Sequence, residues 1–230
     1  MKEKLLVWDL PLRLFHWLFA LTIFAAWYTS EQEGELIDLH MQLGYFAIGL
    51  IVFRLIWGLV GTRHSRFSQF LPTPARLTAY LKGRDRQADV SYAGHNPLGS
   101  LMVILMIVLV SLQAISGLFI NDDVFSSGPY YGSVGSEIEA IMEFLHHNTF
   151  DLMLISIALH ISAIGYYWWV KKHNLVKPMI TGRKPADLVA EQDSIPHSRL
   201  LLALLVAALV AGFVYWLVVI NAPVVEEFYY

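Results

Sequence analysis

The sequence predicts an all-α integral membrane protein with five spanning helices, and three observations carry that prediction. The 230-residue chain is 56% hydrophobic and only 15% charged, whereas soluble domains carry about a quarter charged residues and under half apolar ones. Its mean hydropathy is +0.51. Five apolar stretches reach the roughly 20 residues needed to cross a bilayer. This composition excludes a soluble enzyme, a disordered chain and a disulfide scaffold, and the net charge of −3 with no separate basic patch argues against nucleic acid as a partner. With no cysteine, thiolate metal sites, iron–sulfur clusters and thiol catalysis are excluded, so any redox or metal chemistry rests on the nine histidines.

The spans are expected at Leu12–Thr29, His40–Gly61, Leu98–Ile120, His146–Val170 and Leu200–Ile220. The first is not a cleavable signal: it is long, holds Arg13 and His16, and runs into Glu31, Glu33 and Glu35 instead of a small-residue cleavage site. All 16 Lys and Arg lie in segments 1–11, 62–97 and 171–199 or at Arg13 and Arg54. Segments 30–39, 121–145 and 221–230 have none. The positive-inside rule then predicts a cytoplasmic N-terminus and a periplasmic C-terminus, consistent with an odd number of spans. Two loop helices are expected. Thr73-Pro74 caps a short interfacial helix carrying Leu77, Tyr80 and Leu81 on one face and ending at Gly83. Ser136 and Glu139 form a capping box for a helix leading into the fourth span.

Ionisable residues inside a span are costly and mark function. His16, His40, His146 and His160 fall within the spans or at their mouths. His146 and His160 are 14 residues apart, close to four helical turns, so they share a face and stand about 21 Å apart along it. His147 points off that face. Two imidazoles so far apart cannot share one ion, but each can serve a separate cofactor. The predicted topology pairs His16 with His160 near the inner surface and His40 with His146 near the outer. Two histidines per site, with no open position, is the ligation of an electron-carrying haem. A zinc or copper site would gather three or four ligands at one depth.

Ala20, Gly44 and Ala163 follow His16, His40 and His160 by one turn and leave room for a flat macrocycle, a role that plain helix packing also explains. Arg54 lies 14 residues after His40. Two roles are open to it: pairing with a haem propionate, or snorkelling to the cytoplasmic surface. Arg13 is expected to be a snorkelling anchor.

The chain resembles the bacterial di-haem cytochrome b561 family, which includes the b-type cytochrome subunit of Ni,Fe-hydrogenases and is similar to the formate dehydrogenase cytochrome subunit. The resemblance rests on VWDLPLRLFHW around His16, LHMQLGYF around His40, FRLIWGLVGTRHSRF from Arg54, GHNPLG before the third span, LH at His146, LHI at His160 and NLVKPMITGRK after the fourth span. It covers roughly residues 5–184, so the chain is divided into a di-haem domain at 1–184 and a second segment at 185–230 with the fifth helix and an acidic tail. The resemblance implies a four-helix haem-binding bundle, two haem b groups on His16, His40, His146 and His160, and electron exchange with membrane quinone. The expected protein is an electron-transfer subunit of the bacterial inner membrane, surrounded by lipid, linking a periplasmic redox partner to the quinone pool.

Eleven acids on the outer segments (Glu31, Glu33, Glu35, Asp38, Asp122, Asp123, Glu137, Glu139, Glu143, Glu226 and Glu227) face no Lys or Arg there. Such a field steers a basic partner such as a c-type cytochrome, while a hydrogenase small subunit is the partner the family suggests. His95 and Asn96 are candidates for a quinone carbonyl, with an Asn-Pro turn as the plain alternative for Asn96. Asp151 either serves the outer site or meets water, and His64, His173 and His197 are expected to be solvated. Two rival functions are a stand-alone superoxide:quinone oxidoreductase and a haem-free transporter or anchor.

Overall fold

The computed structural model describes residues 4–32, 36–84, 92–121 and 126–223. Strand β1 (Lys4–Leu6) is followed by α1 (Leu10–Ser30), α2 (Ile37–Val60), the short α3 (Phe67–Phe70), α4 (Pro74–Leu81), α5 (Pro97–Ser116), α6 (Ser136–Trp169), α7 (Val176–Thr181), β2 (Arg183–Pro185) and α8 (Leu200–Tyr215). A π-wound turn, Trp216–Ile220, extends α8. Among the described residues, α1, α2, α5, α6 and α8 with its extension are long and apolar enough to cross a membrane. Their outward side chains, such as Leu21, Leu201 and Leu209, are exposed, as acyl chains require.

Beyond shifts of one to three residues at the other span ends, two boundaries and one cap differ from the sequence expectation. The third span stops at Ser116 rather than Ile120, because the N–H groups of Leu118 and Phe119 turn back to the carbonyls of Ile115 and Ser116 at 3.1 and 3.0 Å, tightening the chain beyond Gly117. The helix expected before the fourth span is continuous with it, giving the 34-residue α6. At about 51 Å this helix is longer than the hydrocarbon core. The expected capping box is rearranged: Ser136 is the first helical residue, the Gly135 carbonyl takes the N–H groups of Ile138 and Glu139, and Glu139 accepts from Gly132 N–H at 2.8 Å. The cap at α4 is as expected, with the Thr73 hydroxyl accepting from Arg76 N–H at 3.3 Å and proline in the first turn.

The chain forms two compact units. One comprises Met1–Trp17, Arg54–Met106 and Ser156–Val206. Its centre is the fully buried Asp9, which caps α1 by accepting from Leu12 N–H at 2.7 Å. Asp9 also accepts from Trp57 Nε1 at 3.2 Å and from the hydroxyls of Thr62 and Ser65. A buried carboxylate must be hydrogen-bonded on all sides to persist, and these donors fold the 62–65 turn onto the start of α1. Strands β1 and β2 pair antiparallel with Leu5 opposite Lys184. Val7 and Trp8 N–H share the Gly182 carbonyl at 2.9 and 3.0 Å, a turn that needs the positive φ of +78° at Gly182. Arg13, expected to be a snorkelling anchor, donates to the Ile180 carbonyl in an exposed hydrogen bond, because the turn after α7 comes back over the first turns of α1.

The other unit comprises Leu18–Phe53, Ile107–Ile155 and Ala207–Tyr230. Here Gly49 of α2 faces Val210 and Val214 of α8. The Tyr130 hydroxyl donates to the Leu217 carbonyl at 2.9 Å and accepts from Asn221 Nδ2 at 3.0 Å. The π turn places that carbonyl where the tyrosine can reach it.

Candidate cofactor sites

The structure brings the four span histidines together in two pairs, one in each unit. His40 of α2 and His146 of α6 have ring centroids 6.2 Å apart, with planes at 81°. His16 of α1 and His160 of α6 have centroids 6.3 Å apart at 51°. A metal–imidazole bond of about 2.0 Å, plus about 1.1 Å from nitrogen to ring centre, places two rings on opposite sides of one metal with centres about 6.2 Å apart. Both pairs have this spacing. Among the described residues no three His, Cys, Asp or Glu side chains gather as a metal site, and each pair offers two imidazoles.

In the His40–His146 pair the tautomers follow from the partners. His40 Nδ1 lies 2.8 Å from the Ala26 carbonyl and His146 Nδ1 lies 2.9 Å from the Gln113 carbonyl. A carbonyl only accepts, so each Nδ1 carries the proton and each Nε2 keeps its lone pair for a ligand. This is the usual support of a metal-binding imidazole. Gly117 makes the approach possible: a Cβ there would stand 2.9 Å from His146 Cε1. Gly44, one turn after His40, has open space where a Cβ would point, room that a flat macrocycle needs. His147 is exposed, its ring at 90° to that of His146.

The His16–His160 pair is held by packing. His16 stacks edge-on with Trp17 at 5.1 Å, and its buried Nδ1 has no partner among the described residues. In the same unit Arg54 is 1% exposed, which overturns the snorkelling role. Its Nη1 donates to the Ser65 carbonyl at 3.0 Å, and its guanidinium lies over the Phe67 ring at 4.7 Å. Phe67 reaches that position because Gly58 lacks a side chain; a Cβ there would fall inside the Phe67 ring. Arg54 Nη2 is buried with no partner among the described residues. A buried donor on a cation without an acceptor is costly, and a carboxylate such as a haem propionate would satisfy it.

The remaining expected residues divide. Asn96 caps α5, its Oδ1 accepting from Gly99 N–H at 2.7 Å and its Nδ2 donating to the Tyr167 hydroxyl at 2.6 Å, so the plain Asn-Pro turn role is filled. His95 packs between Trp8 at 4.8 Å and Phe70 at 5.0 Å, with Nδ1 buried and without a partner among the described residues. Burial, reinforced by the charges of Arg54 and Lys184, pushes its pKa down to about 3. His64, expected in solvent, is buried, because the Glu191–Asp193 turn closes over it and its Nε2 meets the Asp193 carbonyl at 2.6 Å; burial lowers its pKa. Lys184 is buried with Nζ donating to the Tyr92 carbonyl at 2.7 Å, and burial lowers its pKa to about 8. His173, His197 and Asp151 are exposed. Of the eleven outer acids, Glu33, Glu35, Asp122, Asp123, Glu226 and Glu227 lie outside the described residues.

The sequence profile of the prokaryotic cytochrome b561 family matches residues 7–182. The chain is similar to a probable Ni/Fe-hydrogenase B-type cytochrome subunit of Azotobacter chroococcum mcd 1, at 21% identity over 76% of this chain and 86% of that protein. Proteins of the same name from Rhodobacter capsulatus (22% identity, 80% and 82% coverage) and Azotobacter vinelandii (27% identity, 45% and 53% coverage) are also similar. No solved structure matches the chain.

Proposed function

The chain belongs to the prokaryotic cytochrome b561 family, and from that premise we propose that it is an electron-transfer subunit with two b haems, one on His16 and His160 and one on His40 and His146. The observation that supports this reading most directly is the pair of ring separations, 6.2 and 6.3 Å. Haem iron supplies the one-electron chemistry when bound. His16 with His160, and His40 with His146, would hold the haem irons, and two protein ligands per iron would suit electron transfer rather than O₂ chemistry. Ala26 and Gln113 hold the His40 and His146 rings in the tautomer that presents Nε2. Arg54 offers a charge-assisted hydrogen bond to a propionate.

The charge distribution of the loops supports a cytoplasmic N-terminus and a periplasmic C-terminus in the inner membrane. In that orientation His40 and His146 lie near the periplasmic surface, and His16 and His160 near the cytoplasmic one. Electrons pass between a periplasmic protein and membrane quinone. The names of the similar proteins favour a hydrogenase as that partner. A basic c-type cytochrome is the second reading, favoured by Glu31, Asp38, Glu137, Glu139 and Glu143 on segments without Lys or Arg.

The test is a pyridine haemochrome assay with a reduced-minus-oxidised spectrum on the purified full chain. Two b haems per chain are expected. His16→Ala and His40→Ala should each leave one. A protein that takes up no haem, or one haem lost only when both are changed, would overturn the assignment.

A further inference from the structure

We propose that the cavity where the end of α2 meets the start of α8 binds a phosphate group, supplied by an acidic phospholipid or by free phosphate. This cavity of about 200 Å³ is lined by Thr62, Arg63, Arg66, Ser194, His197 and Arg199, among others. At roughly 30 Å³ per water, the space admits a tetrahedral oxyanion with part of its hydration. None of the lining residues belongs to a histidine pair.

The cations there are only partly spent. Arg63 pairs with Asp193 at 2.9 Å and donates to the Gln192 carbonyl at 2.6 Å, so that carboxylate is committed to one arginine. Arg199 uses Nη1 on the carbonyls of Val60 and Gly61, at 3.1 and 3.4 Å. Arg66 also lines the cavity, and among the described residues its solvent-shielded Nε has no partner. Arg66, Arg199, the exposed His197 and the hydroxyl of Ser194 thus share one small space whose lining, among the described residues, has no carboxylate.

Two further observations concern the backbone. Arg199 has φ +51°, a left-handed conformation that a non-glycine residue adopts under constraint. The next residue opens α8, whose first N–H groups carry the positive end of the helix dipole. The site therefore sits at the ends of two helices long and apolar enough to span a membrane, where such helices leave the hydrocarbon core for the headgroup layer. Basic pockets between spans at that depth suit acidic headgroups.

The test uses the purified full chain in phosphatidylcholine nanodiscs. In one arm phosphatidylglycerol is added and retained lipid is counted by native mass spectrometry. In the other, inorganic phosphate is titrated and the melting temperature is followed. The lipid source predicts one phosphatidylglycerol retained per chain, with retention at least fivefold weaker in Arg66→Gln and restored in Arg66→Lys. Arg76→Gln, outside the cavity, should match the unchanged chain. A phosphate-dependent rise in melting temperature that Arg66→Gln loses, without lipid retention, assigns the same pocket to free phosphate. Ser194→Glu keeps every arginine and puts a carboxylate into the cavity, so it should abolish binding even if Arg66→Gln fails to fold. Equal lipid retention in all variants together with no phosphate response overturns the proposal.

Discussion

Arg54 carries a charge that its neighbours half satisfy: one nitrogen on the Ser65 carbonyl, one face on Phe67, and Nη2 buried without a partner among the described residues. Such a cation acts on whatever negative or electron-rich group shares its site, and the effect is largest where water is excluded. Arg54→Gln should keep both haems and lower the midpoint potential of one of them, by on the order of 60 mV, the one-electron equivalent of about 1.4 kcal/mol. Arg54→Lys should recover part of the shift. A redox titration checks this, and two unchanged potentials would remove Arg54 from the site. From the sequence its two roles could not be separated, because both place an arginine near a helix end. What decides is the 61–66 turn, held on Asp9 by Thr62 and Ser65. Asp9 itself escaped notice: its partners Trp57, Thr62 and Ser65 lie 48 to 56 residues away, and locally it reads only as a helix cap.

Among the elements, α6 matters most, because it supplies one imidazole to each pair. Its partner helices differ, α1 for His160 and α2 for His146, so a local change on one side should affect one pair alone. Gly117→Ala tests this beyond the ligands themselves. The added methyl would stand 2.9 Å from His146 Cε1, closer than packed atoms allow, and the ring must move. Haem content should fall from about two per chain toward one, with the His16–His160 site retained. The loss of both haems, or of neither, would contradict separate sites. The elements themselves were largely legible, since an apolar run of about 20 residues has few alternatives to a span. The histidine pairing was legible too, because a fixed helical period turns sequence spacing into direction. The end of α5 was not, because composition stays apolar past Gly117 and only hydrogen bonding sets that boundary; the helix start at Ser136 was legible, and its merging with the fourth span into one helix was not.

For the whole molecule, the buried basic groups set the response to pH. His95 is held near 3 against an ordinary 6.5. Below pH 6.5 the unfolded chain takes up a proton that folded His95 does not, so stability falls as pH drops from about 6.5 toward 3. His64 contributes in the same direction. Lys184 acts in a higher window: with its pKa near 8 instead of 10.5, stability gains as pH rises between those values. The melting temperature in detergent should therefore drop between pH 7 and pH 5, and His95→Phe should flatten that slope without abolishing it. An unchanged slope would mean that His95 titrates normally in the folded chain. These burials were not legible in advance, because His64 is covered by a turn 129 residues away and no local pattern announces such a lid.

The placement of one imidazole from each pair on α6 also sets an order of manufacture. His16 precedes His160 by 144 residues, and His40 precedes His146 by 106. At a synthesis rate of about 5–20 residues per second, His16 waits on the order of ten seconds in the bilayer before its counterpart exists. A nascent chain holding only the first three spans contains neither pair. On the proposed ligand assignment, translation that stalls before α6 should therefore yield a membrane-inserted protein of normal early topology that supplied haem does not mature.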